Sequence, residues 1–151
     1  MKINGLRNKL LEFENKEFGK GASLDEIKLA QVELSVRFPD SYIAFLRQFG
    51  WGRVAHFELY GLGTDVPPYL DLVRVTCSER EEMEPRLKMY LIPIMNDGGG
   101  NHYCLDSTRL ENGECPVVFW DHELGRDQVP DQVGENFVSW LSDKVDELSE
   151  G

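Results

Sequence analysis

The chain is poor in the residues that staple small proteins together. Its three cysteines, Cys77, Cys104 and Cys115, are odd in number and show no CxxC spacing, which argues against a disulfide framework and the common zinc arrangements. No apolar run approaches the ~18 residues of a membrane span, and the opening MKINGLRNKLLEFENK has amphipathic spacing where a signal peptide would have an apolar core. A reducing cytoplasm is the expected location. Linkers, low-complexity tracts and internal repeats are missing as well. The 151 residues should therefore form one domain, long enough to bury about 68–70% of the surface its unfolded chain would expose. Bases are scarce towards the end: positions 106–151 hold 12 acids and 3 bases, so −9 of the net charge of −11 lies there. Such a field repels nucleic acid and anionic membranes and speeds encounter with a basic partner. Taken by itself, the charge is better explained by solubility.

What the chain does have is centred on Leu91 to Glu123. Three short apolar runs, Leu91–Met95, Tyr103–Leu105 and Pro116–Trp120, are separated by strong turn signals. Asn96-Asp97-Gly98-Gly99-Gly100-Asn101 supplies residues that tolerate positive φ, and Glu111-Asn112-Gly113-Glu114 carries an Asn-Gly step. The pattern predicts a three-stranded antiparallel meander.

Around it the spacing predicts mostly helices. Ile3, Leu6, Leu10 and Phe13 mark a first amphipathic helix, expected on the outside of the domain. Ser23 and Glu26 form a capping box for a second, with Leu24, Ile27, Gln31, Leu34 and Phe38 on one face and Pro39 as its stop. Tyr42, Phe45, Leu46 and Phe49 mark a third, closed by Gly50. Gly50-Trp51-Gly52-Arg53 reads as a loop and Ala55–Gly61 as one alternating strand. Thr64 or Asp65 should cap a helix opened by Pro67-Pro68 and running toward Cys77. Glu79 to Glu84 reads as a solvated helix end or loop, and His122 to Asp131 as polar loop. Phe137, Trp140, Leu141, Val145 and Leu148 form the stripe of a last helix. The order ααα, β, α, βββ, α predicts an α+β fold: an antiparallel sheet, made of the central meander and one earlier strand, with helices packed around it.

With these elements placed, Phe38-Pro39-Asp40-Ser41-Tyr42-Ile43-Ala44-Phe45-Leu46, Gly50-Trp51-Gly52, Leu91-Ile92-Pro93-Ile94, Asn96 to Asn101 with Tyr103-Cys104-Leu105-Asp106, and Val118-Phe119-Trp120-Asp121-His122-Glu123 together resemble the SUKH superfamily. More narrowly, they resemble its branch named after the yeast Smi/Knr cell-wall regulators. The ordered set, spanning about Ser23 to Leu141, carries the likeness; no single segment does. One departure is Phe49-Gly50-Trp51-Gly52, where a plainer Asn-Gly-Gly type of turn would be expected. The resemblance implies a SUKH-like fold and a binding protein. Bacterial members are typically immunity proteins that neutralise a cognate toxin, often a nuclease, and in the eukaryotic regulators the domain is an interaction module.

The residues themselves offer little chemistry. His102, Cys104 and Asp106 share a strand face, but i and i+2 backbone positions stand about 6.6–6.8 Å apart, whereas a nucleophile and its base need hydrogen-bond reach. A strand cysteine is more often a small buried apolar residue. His102, His122, Asp121 and Glu123 suit a metal chemically but lack ligand spacing. The Gly-rich 96–101 loop is followed by a strand, unlike a phosphate loop, which opens a helix. No catalytic residue, metal or cofactor is assigned on these grounds.

The remaining candidates are the carboxylates Asp97, Asp106, Asp121, Glu123 and Asp127, expected to gather at the strand ends, and the aromatics Trp51, Tyr60, Tyr103 and Trp120, with Trp51 the most exposed and Trp120 the most buried. The expected partner-binding set is Trp51, Asp97, Tyr103, Asp106, Asp121 and Glu123. The expected partner is a protein toxin with a basic nuclease domain, blocked stoichiometrically; nucleic acid and membrane are not expected partners. A regulatory scaffold is the alternative, and a small hydrolase using His102 with Cys104 or Asp106 a weaker one.

Overall fold

The computed structural model describes residues 3–150. Among them, seven strands pair in sequence order, each antiparallel to the next: β1 (Lys16–Phe18), β2 (Gly52–Val54), β3 (Phe57–Leu59), β4 (Leu91–Asn96), β5 (His102–Asp106), β6 (Val117–Trp120) and β7 (Asp131–Gly134). The helices are α1 (Ile3–Leu11), α2 (Leu24–Leu34), α3 (Asp40–Gln48), α4 (Leu72–Glu81) and α5 (Phe137–Glu150). The α+β fold and the β4–β5–β6 meander stand as expected. The sheet around that meander is larger than expected, because β1, β2 and β7 are too short to show a period.

Alternation along β4–β6 divides the apolar side chains between two faces. Ile92, Leu105 and Val117 join the main core with Phe45, Phe137 and Trp140 of α3 and α5. Leu91, Cys104, Val118 and Trp120 face the other way, under Leu87 and Tyr90 of the segment after α4. Pro93, which has no N–H to give a neighbour, sits at a register shift in the β4–β5 ladder, where a proline is tolerated inside a sheet. β3 and β4 share a single residue pair, Leu59↔Met95. The sheet thus opens between them.

The first helix is the expected amphipathic outer helix, with Asn4, Arg7 and Asn8 exposed, Leu6 and Leu10 fully buried, and Lys9 bonding Asp146 (2.7 Å) and Ser142 (2.9 Å) of α5. Several other expectations are corrected by the packing. α2 keeps its capping box but ends before Phe38. Ser35 turns left-handed at φ 56 and Val36 N donates to Gln31 O at 3.1 Å, a Schellman-type closure. Leu24, assigned to the buried face, is exposed, and Ala30 takes a core position instead.

The strand expected over Ala55–Gly61 shortens to β3 and is the second arm of a hairpin with β2, Val54 standing opposite Phe57 across a turn at Ala55. Neither Thr64 nor Asp65 caps the next helix. Asp71 does, accepting from Val73 N (3.0 Å) and Arg74 N (3.3 Å). The 79–84 charge run is not all solvated: Arg80 is buried and donates to Leu34 O (2.8 Å) and Met89 O (2.6 Å). The polar stretch ends in β7, which begins at Asp131 and pairs with β6.

Candidate functional site

One end of the sheet gathers three loops that are far apart in sequence: the β2–β3 turn, the β4–β5 hairpin and the segment 121–130. In the hairpin, Gly98 and Gly100 take φ of 92° and 95°, values that side chains resist. Asp97 organises this turn. Its Oδ1 accepts from Gly99 N (2.8 Å) and Asn101 N (3.0 Å), and its Oδ2 accepts from Asn101 Nδ2 (2.8 Å). Partial burial alone would raise the Asp97 pKa, but the hydrogen bonds from the Asn101 side chain and the Gly99 and Asn101 amides outweigh it and hold the carboxyl below its ordinary value.

Asn101 then joins hairpin to loop, its Oδ1 accepting from His122 N (3.0 Å) and lying 2.6 Å from His122 Nδ1. Within the loop, Gln128 Oε1 accepts from Asp121 N (3.1 Å), and Gln128 Nε2 donates to Asp121 O (2.8 Å). Asp121 Oδ1 accepts from Glu123 N (2.9 Å). The result is a preformed acidic rim of Asp97, Asp121 and Glu123, with Leu124 and Val129 exposed beside it at 54% and 89%.

Next to the rim, where β3 and β4 separate, lies a cleft of about 490 Å³. Its aromatic lining is Phe57, Tyr60, Tyr69 and Tyr103, and its charged lining is Glu58, Asp97 and Lys144. Lys144 Nζ donates to Tyr103 Oη at 3.0 Å and stands 4.5 Å from the ring centroid. Tyr103 also packs on Phe119 and Trp140, with centroids 5.2 and 5.3 Å away.

With fold and site described, the likeness to known proteins is clear. The family model SUKH_5, described as SMI1-KNR4 cell-wall, matches residues 2–146. The chain belongs to the SUKH_5 family. The crystal structure of a protein from Pseudomonas syringae pv. tomato is similar over 93% of this chain and 93% of that one, with a TM-score of 0.64 and 20% identity. At that identity the likeness concerns the fold.

On this SUKH_5 scaffold the six candidate residues do not form one patch. Asp97, Asp121 and Glu123 meet at the rim, and Tyr103 lines the adjoining cleft. Trp51 is buried, 4% exposed, and corrects the expectation of an exposed loop residue. Its Nε1 donates to Asp65 Oδ1 (3.1 Å), and its carbonyl accepts from Gly19 N (3.2 Å) of the segment after β1. Asp106 lies at the opposite end of β5 from the rim. It closes a local turn there, accepting from Thr108 N (3.1 Å), Thr108 Oγ1 (2.5 Å) and Arg109 Nε (3.1 Å). Trp120 is buried, as expected.

The hydrolase arrangement is not assembled in this SUKH_5 chain. His102 Nε2 is bonded to Glu79 Oε1 at 3.1 Å and its Nδ1 lies 3.4 Å from Tyr60 Oη. Burial, helped by the Glu79 charge, pushes the Cys104 thiol well above its ordinary pKa, which opposes the thiolate that nucleophilic attack needs. Among the described residues, no group of three or more His, Cys, Asp or Glu side chains is placed to hold a metal ion. No described helix is long and apolar enough to cross a membrane.

Glu58, Tyr69 and Lys144 were not singled out by the sequence. Glu58 does stand on the polar side of the 55–61 alternation, but nothing in the sequence brings Tyr69 and Lys144 to it.

Proposed function

We propose that this chain is an immunity protein that acts in the cytoplasm by binding the toxic domain of a cognate toxin, a basic nuclease domain, and blocking it stoichiometrically. Membership of the SUKH_5 family supports a protein-binding role. The observation that carries the reading is the rim: Asp97, Asp121 and Glu123 come from two loops yet are hydrogen-bonded into one preformed acidic surface beside an aromatic cleft. A preformed surface avoids the ordering cost of association, and carboxylates facing a basic groove steer encounter and fix register. A standard interface of about 1,600 Å² in total would cover the rim, the cleft mouth and the exposed Leu124 and Val129. The cell-wall description of the matched family favours a second reading, an interaction scaffold for an endogenous partner.

The test is co-expression with the C-terminal domain encoded by the adjacent gene. Relief of growth arrest with a co-purifying 1:1 complex supports immunity. Toxicity without relief, or a non-toxic neighbour, turns the reading to the scaffold. In a complex, Glu123→Lys combined with Asp121→Asn, which keeps the acceptor for Glu123 N, should weaken binding while the fold persists. Unchanged affinity would move the interface elsewhere.

A further inference from the structure

The cleft between β3 and β4 has a chemistry that the acidic rim does not explain. We propose that it is an arginine-binding cleft, receiving one arginine side chain of the protein partner as a central anchor; this inference rests on reading the chain as a protein-binding module. Its volume of about 490 Å³ falls within the ~300–1,000 Å³ of ligand clefts.

Four aromatic residues and the carboxylates of Glu58 and Asp97 line it, against one ammonium, Lys144, and the imidazole of His56. That ammonium is already engaged, by Tyr103 Oη at 3.0 Å and by Glu147 at 3.7 Å. An anion would meet two carboxylates, an ammonium that is already engaged and, as its one other nitrogen base, the His56 imidazole. A guanidinium would meet aromatic faces and acceptors, the combination that suits its planar, weakly hydrated fork better than a lysine ammonium.

The protein already uses the same parts on one of its own arginines. Arg53 lies 5.5 Å from the Tyr69 ring centroid, donates from Nε to Glu58 Oε2 at 3.0 Å, and donates from Nη2 to Tyr69 Oη. Tyr69 Oη in turn donates to Glu58 Oε2 at 2.6 Å. These bonds use one oxygen of Glu58 and leave Oε1 to accept from a ligand. Tyr69 itself is 53% exposed. A large, rigid aromatic beside a carboxylate at the mouth of a cleft is the setting in which an arginine becomes an interface hot spot.

The probe is N-acetyl-arginine N-methylamide, titrated into the ¹⁵N-labelled full chain and followed by amide chemical shifts. The citrulline analogue, equal in shape and uncharged, and the glutamate analogue are the controls. Saturable millimolar shifts at Glu58, Gly98 and Tyr103 with the arginine probe alone are expected. Glu58→Gln should weaken binding by about three-fold, and Lys144→Ala, which removes the competing cation, should strengthen it by a similar factor. The two variants move in opposite directions, so general loosening of the fold cannot imitate the result.

Absence of saturable shifts, equal shifts with the citrulline analogue, or no gain from Lys144→Ala overturns the proposal. The two readings fail separately. Arginine binding without a toxin complex keeps the cleft and removes the immunity reading. A toxin complex formed by a chain that ignores the arginine probe keeps immunity and removes the cleft.

Discussion

At the scale of single residues, burial decides reactivity. Cys104 is fully buried, and burial pushes the Cys115 thiol up to about 12; Cys77 is half-buried on α4. A thiol reagent at pH 8 should therefore modify Cys77 first in the native protein and all three cysteines in urea, as counted by intact mass. Rapid native labelling of Cys104 would contradict the burial. Asp97 shows the converse, an exposed residue with a structural task. Asp97→Ala removes the acceptor for three donors of the hairpin and should cost about 1 kcal/mol at pH 7. The folded pKa is lowered, so this stabilisation is present above the ordinary aspartate value and is lost as pH falls through the lowered one. Urea unfolding of wild type and variant should accordingly converge as pH falls below the ordinary aspartate value.

At the scale of elements, distant residues finish what local sequence leaves open. α3 is preceded at its N-cap by Pro39, whose side chain caps nothing. Glu114, from the β5–β6 connection, supplies the missing acceptors, taking Ser41 N at 3.0 Å and Ser41 Oγ at 2.6 Å. A carboxylate at that position also suits the positive end of the helix. Arg80 does the opposite job, placing its guanidinium on Leu34 O at the C-terminal end of α2 and on Met89 O in the segment before β4. Arg80→Met keeps most of the stem but leaves two carbonyls without donors, and should lower stability by about 2–4 kcal/mol, read as a fall in thermal midpoint. Arg80→Lys should rescue only partly, because one ammonium lacks the planar fork that reaches both carbonyls. A neutral result for either substitution would mean that α2, α4 and the 83–90 segment are held by apolar contacts alone.

At the scale of the whole molecule, the net charge of −11 predicts kinetics more than affinity. Association with a basic toxin domain should slow as salt rises, with most of the loss in the on-rate, since rim charges act across water within a Debye length of about 8–10 Å. Stopped-flow measurements between low and physiological salt would show this. A salt-independent on-rate would assign the acidity to solubility.

What the sequence determined by itself is whatever rests on local rules. The β4–β6 meander followed from turn residues and short apolar runs, the capping box of α2 from Ser23 and Glu26, and the α5 stripe from its period. The same rules could not reach β1, β2 and β7, three- and four-residue strands that exist because a neighbour's ladder completes them. The site divides in the same way. Asp97, Asp121 and Glu123 could be named from charge, but their meeting depends on Asn101 bonding His122 across 21 positions. Trp51 looked exposed because its segment read as a loop, and it is buried because Gly19 and Asp65 close over it. Glu58, Tyr69 and Lys144 became one cleft only when β3 parted from β4. Periodicity and turn chemistry act over a few residues, whereas burial and side-chain convergence depend on which segments share a layer, and that was decided by the packed chain.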